Sequence, residues 1–225
     1  MRRTLLSALA TLALAAPGFA FATTYDIDSA HSSTQFSVKH MMVSNVRGEF
    51  GKTSGTLNLD DKNPANSSVE ATIDVTSIST REPKRDEHLK SPDFFDVAKY
   101  PTITFKSTKV EAAGQGKYKV TGDLTMHGVT KPVVLDVDGP TAELKDAWGN
   151  PRRGVTATTK LNRKEFGLGW NKALEAGGVA VGEEVAITID AELTRKPEAV
   201  PAAAGAEKQP AEKAPAKATK PAGKK

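Results

Sequence analysis

VAITIDAEL, Val185 to Leu193, alternates: Val185, Ile187, Ile189, Ala191 and Leu193 share one parity, while Ala186, Thr188, Asp190 and Glu192 take the other. A period of two marks a half-buried strand, because successive side chains leave a pleated chain on opposite faces. The same pattern recurs through the chain. Phe36 and Val38 alternate with Gln35, Ser37 and Lys39, and Leu57 and Leu59 follow GKTSGT. Val69, Ala71, Ile73 and Val75 form another run, as do Val133, Leu135 and Val137, and then Val155, Ala157, Thr159 and Leu161. Tyr118, Val120, Leu124 and Met126 share a parity with Gly122 between them. Short loops such as AAGQGK, HGVTK and DAWGNPRRG separate these runs, and hairpin-sized connections imply antiparallel neighbours. The fold class is all-β, an antiparallel barrel or sandwich, and periodicity does not choose between the two.

SPDFFDVAKYPTITFKSTKV, Ser91 to Val110, breaks the pattern. Its second half alternates, with Ile103 and Phe105 on one face, but Phe94 and Phe95 are neighbours between aspartates. A strand cannot hide both on one face. PKRDEHLKS and PDFFDVAK each open near a proline suited to a first helical turn, which predicts a short helical insertion between strand groups. NKALEAG is a third, marginal helical candidate.

The chain has 225 residues. It opens with Arg2 and Arg3, an apolar run from Leu5 to Ala16, and small residues around Ala20-Phe21-Ala22. That order predicts a secretory signal peptide over residues 1–22; the apolar run is shorter than the roughly 20 residues of a membrane span. No later segment is apolar enough to cross a membrane. Residues 197–225 are rich in Ala, Lys and Pro and contain no aromatic, so they cannot bury enough surface to offset ordering and are expected to be disordered. The formal charge of +4 comes from the ends, since the leader holds two of the 31 bases and the tail six, against three of the 27 acids. The body, residues 23–196, is close to neutral and lacks the basic excess of a nucleic-acid platform. With no cysteine, an exported domain must rely on its core and not on disulfides.

Catalytic patterns are sparse. His31, His40, His88 and His127 form no HExxH or other close metal pair. Ser, His and Asp are plentiful, yet no G-x-S-x-G elbow, P-loop or G-x-G-x-x-G occurs. The bulky apolar residues Phe36, Met41, Met42, Phe50, Phe94, Phe95, Phe105, Met126, Phe166 and Trp170 come from strands and insertion alike. They suit a dry core or an adaptable apolar site.

Four ordered blocks carry a resemblance to a known family. YDIDSAHSSTQFSVKHMMVSNVRGEFGKTSGTLNLD, RDEHLKSPDFFDVAKYPTITFKST, VTGDLTMHGVTKPVVLDV and NRKEFGLGW together resemble the YceI-like, polyisoprenoid-binding family, over about Tyr25 to Leu193. The resemblance implies an extended, lipocalin-like antiparallel β-barrel with the helical insertion near one opening. It implies a periplasmic protein that binds a long isoprenoid or similar amphiphile, with no catalysis and no cofactor. Phe36, Val38, Met42, Phe50, Phe94, Phe95, Ile103, Phe105, Met126, Phe166 and Trp170 would then line an apolar channel. His31, Arg85, Asp86, His88, His127 and Arg163 are candidates for a polar mouth, each of which could equally be a cap or turn residue. Burial is worth about 0.8 kcal/mol per methylene, so a five-carbon isoprene unit gains roughly 3–4 kcal/mol. A few units outweigh an association cost of about 4–15 kcal/mol. Two other readings stay open at this point: an envelope enzyme with a His-based site, and an envelope-stress scaffold acting through the tail. Expected partners are the lipid, and a weak contact of the tail with anionic envelope surfaces. The family includes dimers, and no residue pattern here decides between monomer and homodimer.

Overall fold

The computed structural model describes residues 22–175 and 177–197. Apart from Ala22 and Pro197, the expected leader and tail lie outside the described residues. Twelve strands follow in order among them: β1 (Thr23–Ile27), β2 (Ser33–His40), β3 (Ser44–Phe50), β4 (Thr53–Leu59), β5 (Ser68–Asp74), β6 (Ile78–Ser79), β7 (Thr102–Gly114), β8 (Lys117–Met126), β9 (Val129–Asp138), β10 (Leu144–Lys145), β11 (Pro151–Asn162) and β12 (Val181–Arg195). One α-helix, α1 (Pro83–Lys90), stands between β6 and β7. The alternating run Val185 to Leu193 is the middle of β12.

The strands form one antiparallel meander that closes on itself. β1 and β2 both lie along one edge of β12, with Ile27 opposite Leu193 and Ser33 opposite Asp190, so residues 28–32 loop out of a single long course. β4 and β3 repeat this against β1 and β2, interrupted at Gly51-Lys52. β5 and β6 follow β4 and β3, interrupted at Val75–Ser77. β7, β8, β9 and β11 then pair each with its predecessor, and β11 pairs with β12 to close an eight-stranded barrel. Eight strands are the size at which a barrel interior either fills with side chains or holds one small ligand. Closure decides between the two architectures left open by periodicity, in favour of the barrel.

Turn chemistry agrees with the topology. His127 and Gly128, the two residues between β8 and β9, both have positive φ, 52° and 75°. That is the type I′ geometry whose twist matches a tight hairpin. Two inward glycines are needed for another reason. A Cβ at Gly48 would meet Phe36 Cζ at 2.4 Å, and one at Gly122 would meet Phe105 Cζ at 2.4 Å. Each phenylalanine ring lies flat across a glycine of the neighbouring strand, which keeps the ring against the wall.

The insertion is only partly helical. Glu82 caps α1 by accepting from the Lys84 amide at 3.2 Å, and Pro83 occupies the first turn. The second helix expected over PDFFDVAK is not formed. The Phe95 amide bonds back to Leu89 O at 3.0 Å and the Asp96 amide to Ser91 O at 2.9 Å, and Asp96 takes φ 46°. These bonds satisfy the end of α1 and turn the chain sharply, which places Phe94 and Phe95 against the barrel. NKALEAG is not helical in its described residues either, since Ala173 bridges Val179 in a small hairpin.

Candidate ligand cavity

Two buried clusters lie toward the two ends of the barrel, and the interior between them is loosely filled. At the α1 end, Phe50, Val75, Ile78, Ile103, Met126, Phe166 and Leu168 form a buried cluster. At the other end Tyr25, Leu59 and Leu193 form a smaller one. Tyr25 is fully buried; its hydroxyl donates to Glu143 Oε2 at 2.7 Å and accepts from Arg153 Nε at 3.0 Å. Burial, the leading cause, pushes the Tyr25 pKa up. Between these clusters the inward side chains of Phe36, Val38, Leu57, Val69, Ile73, Phe105 and Leu135 are only half-buried although the wall surrounds them. The space before them is a cavity of about 280 Å³ whose exposed lining is apolar throughout. Its few polar wall residues are turned or satisfied: Thr34 and Thr53, both buried, bond to one another through their hydroxyls at 3.1 Å. The cavity runs from Leu89, Phe94, Phe95, Arg163 and Val181 to Pro64, Ser67, Tyr118 and Pro140 at the far end.

Most of the aromatic candidates meet here. Phe36, Val38, Phe50, Phe94, Phe95, Ile103, Phe105 and Met126 line the cavity. Phe95 and Phe105 therefore face one space, and Phe95 packs edge-on to Phe50 with centroids 5.7 Å apart. Three candidates do not line it. Met42 sits at the β2–β3 turn, 58% exposed, because the hairpin carries it past the barrel rim. Phe166 is buried within the α1-end cluster, behind the lining. Trp170 covers the outside of the plug, 5.1 Å from Phe94 and 5.0 Å from His88, centroid to centroid. The aliphatic faces of β4, β5, β9, β11 and β12 supply much of the wall instead. Their parity is visible in sequence, where nothing but bulk sets the aromatics apart from them.

The proposed mouth residues scatter, and of them Arg163 alone lines the cavity. Arg85 and Asp86 both fasten α1 to Thr80: Arg85 Nε donates to Thr80 Oγ1 at 2.8 Å, and the Thr80 amide donates to Asp86 Oδ1 at 2.8 Å. His88 pairs with Asp93 at 2.8 Å. His127 lies in its turn, with Nδ1 3.3 Å from Phe166 O and its ring 4.8 Å from Tyr100. His31 is on the outer surface, paired with Asp28 at 2.9 Å. These five are engaged in local contacts of the helix, a turn and the outer surface.

Arg163 differs. It is 4% exposed, and its guanidinium donates to Gly182 O at 2.9 Å, to Val181 O at 3.4 Å and to Leu168 O. Burial lowers its pKa, opposed by the more distant Glu183, whose carboxylate pairs with Lys164 at 2.5 Å. Arg163 thus ties the Arg163–Phe166 turn to the start of β12 and contributes a positive charge at the cavity's α1 end.

Outside the barrel, Arg152 gathers three carboxylates: Asp28 Oδ2 at 2.5 Å, Glu192 Oε1 at 2.8 Å and Asp146 Oδ2 at 3.1 Å. The hydrogen bond from His31, followed by that from Arg152, holds Asp28 down to about 2. Burial works against the ionised Asp146, but donors led by the Asn150 amide also bring it to about 2. Asp28, His31 and Glu192 offer ligand atoms within 4.8 Å of one another. Arg152 already bonds both of those carboxylates, so a cation there would have to displace a guanidinium.

A closed antiparallel barrel with a long apolar interior belongs to the lipocalin-like class of hollow barrels. Within that class, the chain belongs to the YceI-like family, whose model matches residues 25–193. A UPF0312 protein of Vibrio parahaemolyticus is 42% identical over 170 residues, 75% of this chain and 89% of the relative. Among solved structures, the Campylobacter jejuni YCEI protein is 31% identical with a TM-score of 0.59, covering 71% of this chain and 90% of its own. Burkholderia cenocepacia BcnA is 26% identical with a TM-score of 0.63, covering 74% and 98%. A domain from Saccharophagus degradans, described as polyisoprenoid-binding, shares the fold at 16% identity and TM-score 0.57, covering 77% and 99%. Among the described residues no helix is long and apolar enough to cross a membrane.

Proposed function

We propose that the chain is an exported, periplasmic binding protein that sequesters or carries a polyisoprenoid, or a similar long-chain amphiphile, inside its barrel. The observation that carries this reading is the apolar cavity of about 280 Å³, bounded by strand faces that a filled core would have packed shut. Such a space excludes water and rewards each hydrocarbon group placed in it. Membership of the YceI-like family, the description of the Saccharophagus degradans domain that shares the fold, and the leader pattern of residues 1–22 support it. On this reading the protein works by binding, without catalysis or cofactor, and the ligand is its cargo.

The test is extraction of the purified native protein with organic solvent, mass spectrometry of the extract, and titration of the delipidated protein with geranylgeraniol. A co-purifying long-chain lipid and saturable uptake are expected. An empty extract together with no saturable uptake refutes the reading.

A further inference from the structure

We infer that the barrel has a side entrance: the seam between β9 and β11 is the route by which the apolar chain of an amphiphile enters and leaves the interior. This rests on the lipid-binding reading above, and adds where the ligand crosses the wall.

The seam is the weakly zipped join of the ring. β11 pairs with β12 continuously from Arg152–Thr194 to Asn162–Glu184. β9 pairs with β8 along its whole length, from Lys117–Asp138 to Met126–Val129. β9 and β11 are matched at Thr156–Asp138, Ala157–Val137 and Thr158–Asp136, and their ladder stops there. Continued in register, the seam would set Lys160 opposite Val134 and Leu161 opposite Val133. Instead the Thr159 hydroxyl donates to Val134 O at 2.9 Å, so a side chain occupies an acceptor that a ladder amide would otherwise use. Pro132 on β9 has no N–H to offer.

Where the strands part lies a cleft of about 340 Å³, between Lys131–Val134 on one side and Thr159–Asn162 on the other. Val133, Thr159 and Leu161 line both this cleft and the interior cavity. The two spaces thus adjoin at those three residues. At the mouth, Lys131 Nζ stands 3.9 Å from Glu165 Oε2, and both groups are substantially exposed. An ion pair of that kind holds little against separation, yet it gives a polar rim suited to a head group passing by. Val134 projects outward beside the cleft, 45% exposed.

Each end of the barrel carries a buried cluster, some of whose members also line the cavity. Opening the α1 end means unpacking a cluster that includes Phe50, Ile103 and Met126, and opening the other means dislodging Tyr25 from Leu59 and Leu193. At the seam the residues between the two spaces are Val133, Thr159 and Leu161, with Val133 and Leu161 only partly buried at the edge of the α1-end cluster; displacing them releases one threonine hydroxyl and breaks no β9–β11 ladder bond. The closing motion is that of a gate, which sets a rate without changing the affinity of the closed state.

The chain has no cysteine, so paired thiols can be placed at will. The test compares V134C/K160C, exposed positions on the two sides of the cleft, with K106C/D123C, exposed residues paired in the β7–β8 ladder. Each is bridged by a bifunctional maleimide and loaded with dansyl-labelled undecanoic acid, read by fluorescence. Bridging the seam is expected to slow loading and release by roughly tenfold or more, as for a locked gate, with the same final saturation. Bridging β7 to β8 should leave the rates unchanged. Unchanged rates in the bridged seam, or equal slowing in both proteins, overturn the side entrance. Failure of the unmodified protein to take up probe overturns the binding reading itself, and the entrance with it.

Discussion

Replacing Ala71 with Phe separates a hollow barrel from a filled one. Ala71 lines the cavity from β5, opposite Gly55 on one side and Phe105 on the other, and the Phe105 ring lies away over Gly122. A phenyl ring added there has empty space before it. A cavity of about 150 Å³ accommodates benzene, so one ring takes up about half of the 280 Å³ present. In a packed core the same insertion would cost about 1–3 kcal/mol. Here it is expected to leave stability unchanged or raise it, since a buried ring is worth about 1.5–3 kcal/mol. Binding should suffer instead. Excluding one isoprene unit forfeits about 3 kcal/mol, on the order of a hundredfold in Kd. Urea melts and titration of delipidated A71F with geranylgeraniol read the two quantities separately. A variant destabilised by more than about 1 kcal/mol with undiminished uptake would refute the reasoning, because the interior would then be a core and the ligand elsewhere.

Phe94 and Phe95 should divide their effects: F94A removes a side chain buried against Trp170 and His88 and is expected to cost about 3 kcal/mol in urea melts, while F95A, half-buried over the cavity, loses mainly lipid retention. Equal retention in folded F95A would return that residue to ordinary packing. R163A strands the carbonyls of Leu168, Val181 and Gly182, so it should destabilise by about 3 kcal/mol; an unchanged urea midpoint would show that these bonds are dispensable. Asp28 and Asp146, both held at about 2, lie below their ordinary 3.8, so their stabilisation is complete above that value and is lost as pH falls through about 2. Thermal melts should therefore drop between about pH 4 and pH 2, and less steeply in R152M; identical slopes would contradict a role for Arg152. Zinc added to the wild-type protein should not raise Tm, since Arg152 already occupies the carboxylates of the Asp28–His31–Glu192 group, and a rise would show a metal site.

The barrel was largely legible because its signal is local. Each strand face, such as Val185 to Leu193 or Val133 to Val137, declares its parity within a few residues. The choice between barrel and sandwich was not local. It depends on β12 meeting both β1 and β11, a pairing between residues far apart in the chain. The cavity followed the same divide. Phe36, Phe50, Phe95 and Phe105 were found by size, while Met42, expected in the channel, lies outside it because nothing in HMMVS shows how far a hairpin overshoots the rim. PDFFDVAK has helical composition, yet tertiary bonds from Phe95 and Asp96 back to Leu89 and Ser91 turn it instead. The mouth residues were the least legible: five of the six are engaged in local turns, surface pairs or the helix, and a charged side chain looks the same in sequence whether it caps or contacts a ligand.

The most direct measurement of the central claim is the dependence of Kd on chain length. Delipidated protein is titrated with geraniol, farnesol and geranylgeraniol, each below its aggregation concentration. An apolar cavity that takes the chain predicts a gain with each added isoprene unit, up to about 3–4 kcal/mol per unit, until the space is full. A Kd independent of chain length would contradict it, because the protein would then be recognising the head group at its surface.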